Sequence, residues 1–308
     1  TTATEEFNTT TSTITGAAWA SGGNVGTARR ALWGAGTQTA GLIWGGYLGD
    51  PGSSADTEEY NGSSWTESGN MNTARNELGG CGTQTAGLAF GGSAPSASAA
   101  SESYNGTAWT EGNDLNSGRK TLTGFGIQVN AIAAGGGRPG GALTELYDGS
   151  SWTEVGDLST GRYSLGGAGA TGSLGLVVGG TAPIKDDTEE WDFTSTLAAG
   201  TWASGGNLNA ARFGLWGAGT QTAGLAGGGH PNAKEKTEEY NGTSWTEGGD
   251  QGDTGKLYRK GSGTQTAAIC CGGEPPVTSV ESYNGSSWSE LTAMNTATFK
   301  HAACGTQT

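Results

Sequence analysis

The residues of this 308-residue chain that could do chemistry are two histidines, four cysteines, and arginines and glutamates that return at regular intervals. A metal centre needs several His, Cys or carboxylate ligands held together, and a Ser-His-Asp triad needs a histidine beside its nucleophile. His230 and His301 stand far apart at non-equivalent places, so His301 reads as a packed histidine and His230 as a solvated loop residue. Cys81, Cys270, Cys271 and Cys304 show no CxxC spacing, and Cys81 and Cys304 fall where other repeats carry Ala35, Ala168, Ala218 or Ser262. As strand neighbours, Cys270 and Cys271 would point to opposite faces. All four read as small core residues, and neither a metal nor a cofactor is expected. A glycosidase needs two carboxylates across a cleft. The pairs Glu5-Glu6, Glu58-Glu59, Glu189-Glu190 and Glu238-Glu239 recur by repetition, which makes them structural before catalytic.

The arginines carry more information. Arg29, Arg75, Arg119, Arg162 and Arg212 share one repeat position, which Lys256 and Thr298 fill in the last two units. Two readings stand. The arginines can pair with the recurring carboxylates inside the fold, or they can form a basic collar that receives an anionic ligand or acidic peptide. Under the second, the ligand-binding candidates are these five arginines, with Tyr47, Arg138 and Lys185 on the variable loops. Those loops follow a glycine pair and span 47–56, 93–100, 137–143, 181–187, 230–236 and 274–278. They are where repeats of a binding protein would differ. Long connections at 9–16 and 193–199 lie on the opposite face. "GAGTQTAG" and "GGGRPGG" lack the Lys-Ser/Thr and the helix of a phosphate loop.

The elements that position these groups follow from one alignment. Trp19, Trp65, Trp109, Trp152, Trp202, Trp245 and Trp288 mark seven units with a period of about 44 residues, the signature of an array. One unit reads as four short strands, "ARNELGGCG", "AGLAFGG", "SESY" and "TAWTE", with "TQT" and "NG" turns between them. Asn-Gly between strand-like runs predicts a type I′ hairpin turn. The same chemistry explains the five Asn-x-Ser/Thr triplets at Asn8, Asn61, Asn105, Asn241 and Asn284, because the equivalent site at Asp148 cannot carry a glycan. The Gly- and Ala-rich first strand suits a crowded central axis, and radially arranged four-stranded sheets follow.

The glycine pairs (Gly45-Gly46, Gly91-Gly92, Gly135-Gly136, Gly179-Gly180, Gly228-Gly229, Gly272-Gly273), the aromatic before the turn and the Trp after it resemble the kelch repeat. The resemblance covers the whole chain, 1–308, as one domain. It implies an all-β, seven-bladed β-propeller of four-stranded antiparallel blades, with an aromatic pair packed between blades and the channel mouth used for recognition. The wording "YNGTSWTE", "NTAR" and "GTQTA" is also similar to kelch-like repeats of marine phages and environmental bacteria. Kelch propellers include copper radical oxidases, whose histidine ligands this chain does not offer.

The chain starts with a third strand ("TEEFN") and a fourth ("AAWASGG") and stops after a first ("ATFKHAACGTQT"), so the two termini are expected to share the closing seventh blade. Its second strand is not in the sequence, which implies omitted residues, a three-stranded blade, or strand-mediated contact with a partner; omission is the expectation. The start lacks a signal-peptide pattern and an initiating Met. The net charge of −14 argues against nucleic acid and anionic membrane as partners, and no apolar run could insert in a bilayer. The expected role is a non-enzymatic binding or structural module of a phage virion, a tail adhesin or surface decoration, contacting host glycan or another virion protein. The alternatives are a secreted bacterial carbohydrate- or protein-binding propeller and, further off, a sugar-active enzyme. The expected location is a virion or the extracellular space.

Overall fold

The alternation of apolar and small residues within each repeat becomes six sheets of four antiparallel strands, each ordered from first to fourth as in the sequence. Blade 1 consists of Trp33–Thr37, Ala40–Trp44, Thr57–Tyr60 and Trp65–Glu67. Blades 2 to 6 follow over 79–111, 123–154, 166–204, 216–247 and 260–290. The computed structural model describes all residues except 1–4, 9–17, 22, 50–51, 138–140, 182, 194–200, 232–234, 253–257, 299–302 and 304–308. Among the described residues no helix is long and apolar enough to cross a membrane.

The blade count corrects the expectation of seven. Among the described residues there are six four-stranded blades and one two-stranded sheet, β1 (Glu5–Asn8) with β2 (Ala18–Ser21). Each repeated Trp marks a fourth strand, not a whole blade, and Trp19 lies in a hairpin that pairs with no further strand among the described residues. The segment expected to close a shared blade, "FKHAACG", falls largely outside the described residues. Thr298 does take the arginine position of a further unit: its carbonyl accepts the Gly273 N–H at 2.9 Å, as the Arg75 carbonyl accepts that of Gly46 at 2.8 Å.

Blades are joined by the residues that make the repeat recognisable. In five blades the Tyr and Trp flanking the outer turn pack together with ring centroids 4.9–5.1 Å apart. The Trp reaches the preceding blade: Trp109 lies 5.4 Å from Trp44, and its indole N–H donates to Thr57 at 2.8 Å. The Tyr104 and Tyr240 hydroxyls donate to Glu59 and Glu190 of the preceding blades, as Tyr283 does to Glu239 at 2.5 Å. On the far side, Gln84 in "TQT" donates to the carbonyls of Gly41 at 3.1 Å and Tyr60 at 2.7 Å in the preceding blade. First-strand glycines make room for rings of the preceding blade: a Cβ on Gly124 would sit 2.4 Å from Phe90 Cζ. This close approach, more than crowding at the axis, explains why the inner strands are glycine-rich.

The outer turn differs from the expected type I′. Only the glycine has positive φ (Gly62, +91°), and the loop holds four residues, because Tyr60 pairs with Trp65. The Asn61 carboxamide oxygen accepts the backbone N–H groups of Ser63 and Ser64, each at 2.9 Å, and so does the work of a second left-handed residue. Asp148 makes the same two contacts at 2.8 Å, and these backbone donors hold its pKa down to about 2. Because its folded pKa is depressed, the carboxylate supports the turn above its unfolded value of about 4 and loses that support as pH falls toward 2. NMR titration should find Asp148 ionised at pH 3, and Asp148→Asn should remove the pH dependence of this turn's amide shifts.

Candidate functional site

At the channel mouth each blade presents a buried frame and an outward face. The frame holds the arginines. Arg75 donates to Glu102 at 2.8 Å and to the carbonyls of Gly91 at 2.8 Å and Ala100 at 2.6 Å. The second Glu102 oxygen accepts the backbone N–H of Asn72 at 2.6 Å, pinning the loop that leads into the arginine. Arg29–Glu58, Arg119–Glu145 and Arg212–Glu238 repeat the pair at 2.8 Å, and Arg162–Glu189 repeats it in blade 4. Each partner is the first carboxylate of the third strand, while the second one serves the tyrosine latch wherever a Glu stands there. Glu58-Glu59, Glu189-Glu190 and Glu238-Glu239 thereby each have structural partners for both carboxylates.

The expected basic collar is corrected by this burial. Arg75, Arg119, Arg162 and Arg212 are 0% exposed and Arg29 is 8% exposed. A guanidinium buried inside the sheet against a carboxylate is out of reach of an anion at the mouth. Lys256, expected to replace arginine in the sixth unit, lies outside the described residues. Arg259 takes over there from the position where other blades bury a leucine such as Leu215, and it reaches Glu281 at 2.5 Å. Tyr47 is on the mouth face, Arg138 lies outside the described residues, and Lys185 pairs with Asp187 at 3.4 Å.

The post-glycine loops are also only half free. Their later residues tie one blade to the next: the carbonyls of Ser54, Ser98, Gly141 and Lys185 accept the backbone N–H of Arg75, Arg119, Arg162 and Arg212 at 2.7–3.0 Å. Whole-loop replacement would break the frame, which leaves the loop starts and the residue after each arginine outside it.

That residue is Arg30, Asn76, Lys120, Tyr163 or Phe213, bonded through its backbone to the residue after the glycine pair: Tyr47, Ser93, Gly137, Thr181 or His230. The next residue inward forms a collar. Ala31, Glu77, Thr121, Ser164 and Tyr258 all hold φ between 52° and 55°, and Gly214 holds 65°. The N–H groups of Glu77, Thr121, Ser164 and Gly214 each donate to the carbonyl of the preceding collar residue, at 2.9–3.4 Å. Left-handed backbone at non-glycine residues is uncommon and costs conformational energy. Here one backbone shape recurs around the mouth while the side chains differ in charge, size and aromaticity.

The face has its own contacts. The Arg30 guanidinium lies 4.7 Å from the Tyr47 ring centroid. Lys120 reaches Glu77 across the boundary between blades 2 and 3 at 3.0 Å. The His230 ring stands edge-on to Phe213 at 5.4 Å with its Nδ1 buried, so it is packed and not simply solvated as expected. Between blades 1 and 2 a cleft of 660 Å³ is lined by Arg30, Tyr47, Ser53, Asn76, Glu77 and Lys120. A stacking ring, two cations and several amide and hydroxyl groups can hold a sugar face or an extended peptide. His301 and Cys304 lie outside the described residues. Cys81, Cys270 and Cys271 are buried free thiols, and burial pushes Cys81 and Cys270 up to about 12.

The sequence did hold a signal for this face. Each of the five arginines at the repeat position is followed by a different residue (RR, RN, RK, RY, RF), a contrast that attention to the repeated position itself passes over.

Four-stranded antiparallel blades set radially around one channel make the protein a β-propeller. Its fold is similar to the solved structure of YjhT, with a TM-score of 0.59, 13% identity, and coverage of 81% of this chain and 91% of that one. At that identity the likeness speaks for the fold alone. No protein-family model and no curated protein matches the chain.

Proposed function

We propose that the protein is a kelch-type propeller acting as a non-enzymatic recognition module, with the mouth face as its binding surface. The observation that carries this is the collar: one backbone conformation repeated around the mouth, bearing a different side chain in each blade. A purely structural ring has no need of such variety, and a rigid scaffold with varied side chains suits a macromolecular surface ligand. The setting we propose, resting on the repeat wording, is a phage virion or the extracellular space. There the module contacts a host glycan or another virion protein as a tail adhesin or decoration. The Arg30–Tyr47 stack and the neighbouring cleft fit either ligand. The reading contains no catalytic step and no cofactor.

The test is a glycan array run beside an overlay on separated virion proteins. Wild type should bind a defined glycan or one virion band, and Arg30→Ala/Tyr47→Ala/Lys120→Ala should lose that signal at least tenfold. Binding that survives the triple substitution, or turnover of a bound glycan, would contradict the proposal.

A further inference from the structure

The channel itself holds a group that the mouth face does not use. Its wall is built from the start of each blade's first strand, where Trp33, Gly79, Thr123, Gly166, Trp216 and Lys260 are equivalent. Five of these are neutral. The sixth puts a primary amine into a cavity of 390 Å³ that it lines together with the collar residues, glycine backbone, leucines such as Leu32, and the Trp33 and Trp216 rings. The cavity is large enough for a small organic molecule.

Lys260 is accessible to solvent yet surrounded by protein, so its ammonium faces channel water and not bulk water. Enclosure pulls its pKa below the usual lysine range by desolvation. Among the described residues it makes no ion pair, whereas Glu77, the carboxylate lining the same cavity, is engaged by Lys120 at 3.0 Å. The remaining titratable group of the lining is Tyr258. An enclosed cation without a counter-charge is costly, and an anion bound beside it recovers that cost. One ammonium matches one negative charge. A phosphate would call for several donors or a guanidinium fork, and the arginines of the frame are buried within the blades. The apolar walls select the rest of the ligand.

We propose that the central channel is a binding site for a small amphipathic carboxylate, its head received by Lys260 and its apolar part lying against Trp33 and Leu32. The cavity shares Ala31, Glu77, Thr121, Ser164 and Tyr258 with the collar, but Lys260 and the class of ligand it would take do not depend on the proposed function.

Isothermal titration with benzoate, hexanoate and their uncharged amides tests it on the whole chain. Wild type should bind the carboxylates at least tenfold more tightly than the amides. Lys260→Met should lose that preference, while Lys260→Arg and Arg30→Ala should keep it. The carboxylate–amide contrast on wild type stands even if Lys260→Met does not fold. Equal affinity for acid and amide, no binding of either carboxylate, tighter binding of inorganic phosphate, or an unchanged preference in Lys260→Met would overturn the proposal.

Discussion

Replacing Arg119 by methionine should cost about 3–5 kcal/mol of stability, the range for breaking a buried ion pair, while replacing its neighbour Lys120 by alanine should cost less than about 1 kcal/mol. The two residues are adjacent, and both pair with a glutamate. Arg119 is 0% exposed, and its loss leaves Glu145 charged inside the sheet together with the carbonyls of Gly135 and Leu143, which it also serves. Burial lowers the Arg119 pKa and Glu145 opposes that shift, the usual balance of a desolvated pair. Lys120 and Glu77 meet in solvent, their side chains 45% and 36% exposed. Arg119→Met/Glu145→Leu should recover only part of the loss, because Glu145 also holds the Asn116 N–H at 2.7 Å. Urea denaturation of the four proteins reads this directly. Equal losses at 119 and 120 would mean that the frame is not where the stability lies.

The second large effect is expected at the glycine pairs. Gly91→Ala should destabilise by roughly 2–4 kcal/mol, adding left-handed strain to overpacking. Gly91 has φ +65°, and an added Cβ would sit 2.7 Å from the Arg119 carbonyl oxygen. That oxygen is backbone, and it already accepts the Gly92 N–H at 2.7 Å, so it cannot move without breaking the bond between two blades. Gly49→Ala is the control. Gly49 has φ +95° with nothing within 4 Å of an added Cβ, so it should show the conformational cost alone. The difference between their thermal midpoints measures the clash, and no difference would show that blades tolerate movement at this joint.

Much of this architecture could be read from the chain because the same physics is applied repeatedly. The Trp, the glycine pair and the "TQT" clamp each serve a neighbour-to-neighbour contact, so repetition in sequence is repetition of contact. The blade count was not legible, because the Trp signal marks the fourth strand and Trp19 belongs to a hairpin. The turn type was missed because an asparagine oxygen satisfies two N–H groups where a second left-handed residue was expected. The use of Arg259 where the sixth unit carries Lys256 at the arginine position was hidden for a different reason. Alignment places Arg259 at a leucine position, and a long side chain can enter the same carboxylate pocket from another backbone position. For the site, repetition misled. The positions that repeat, Arg75 and its equivalents, are the frame, and the positions that could recognise a ligand are those one residue on, where repetition ends.

The measurement that tests this division most directly is an exchange of mouth side chains between blades. Arg30→Asn, Ala31→Glu and Tyr47→Ser give blade 1 the face of blade 2, whose Asn76, Glu77 and Ser93 stand on the same backbone. Partner binding and thermal midpoint are then read on the same preparation. The account predicts a midpoint within about 3 °C of wild type, since surface changes on an unaltered backbone shift stability by about 0.5 kcal/mol, together with loss of binding. Binding retained at full strength, or a collapse of stability from these three substitutions, would contradict it.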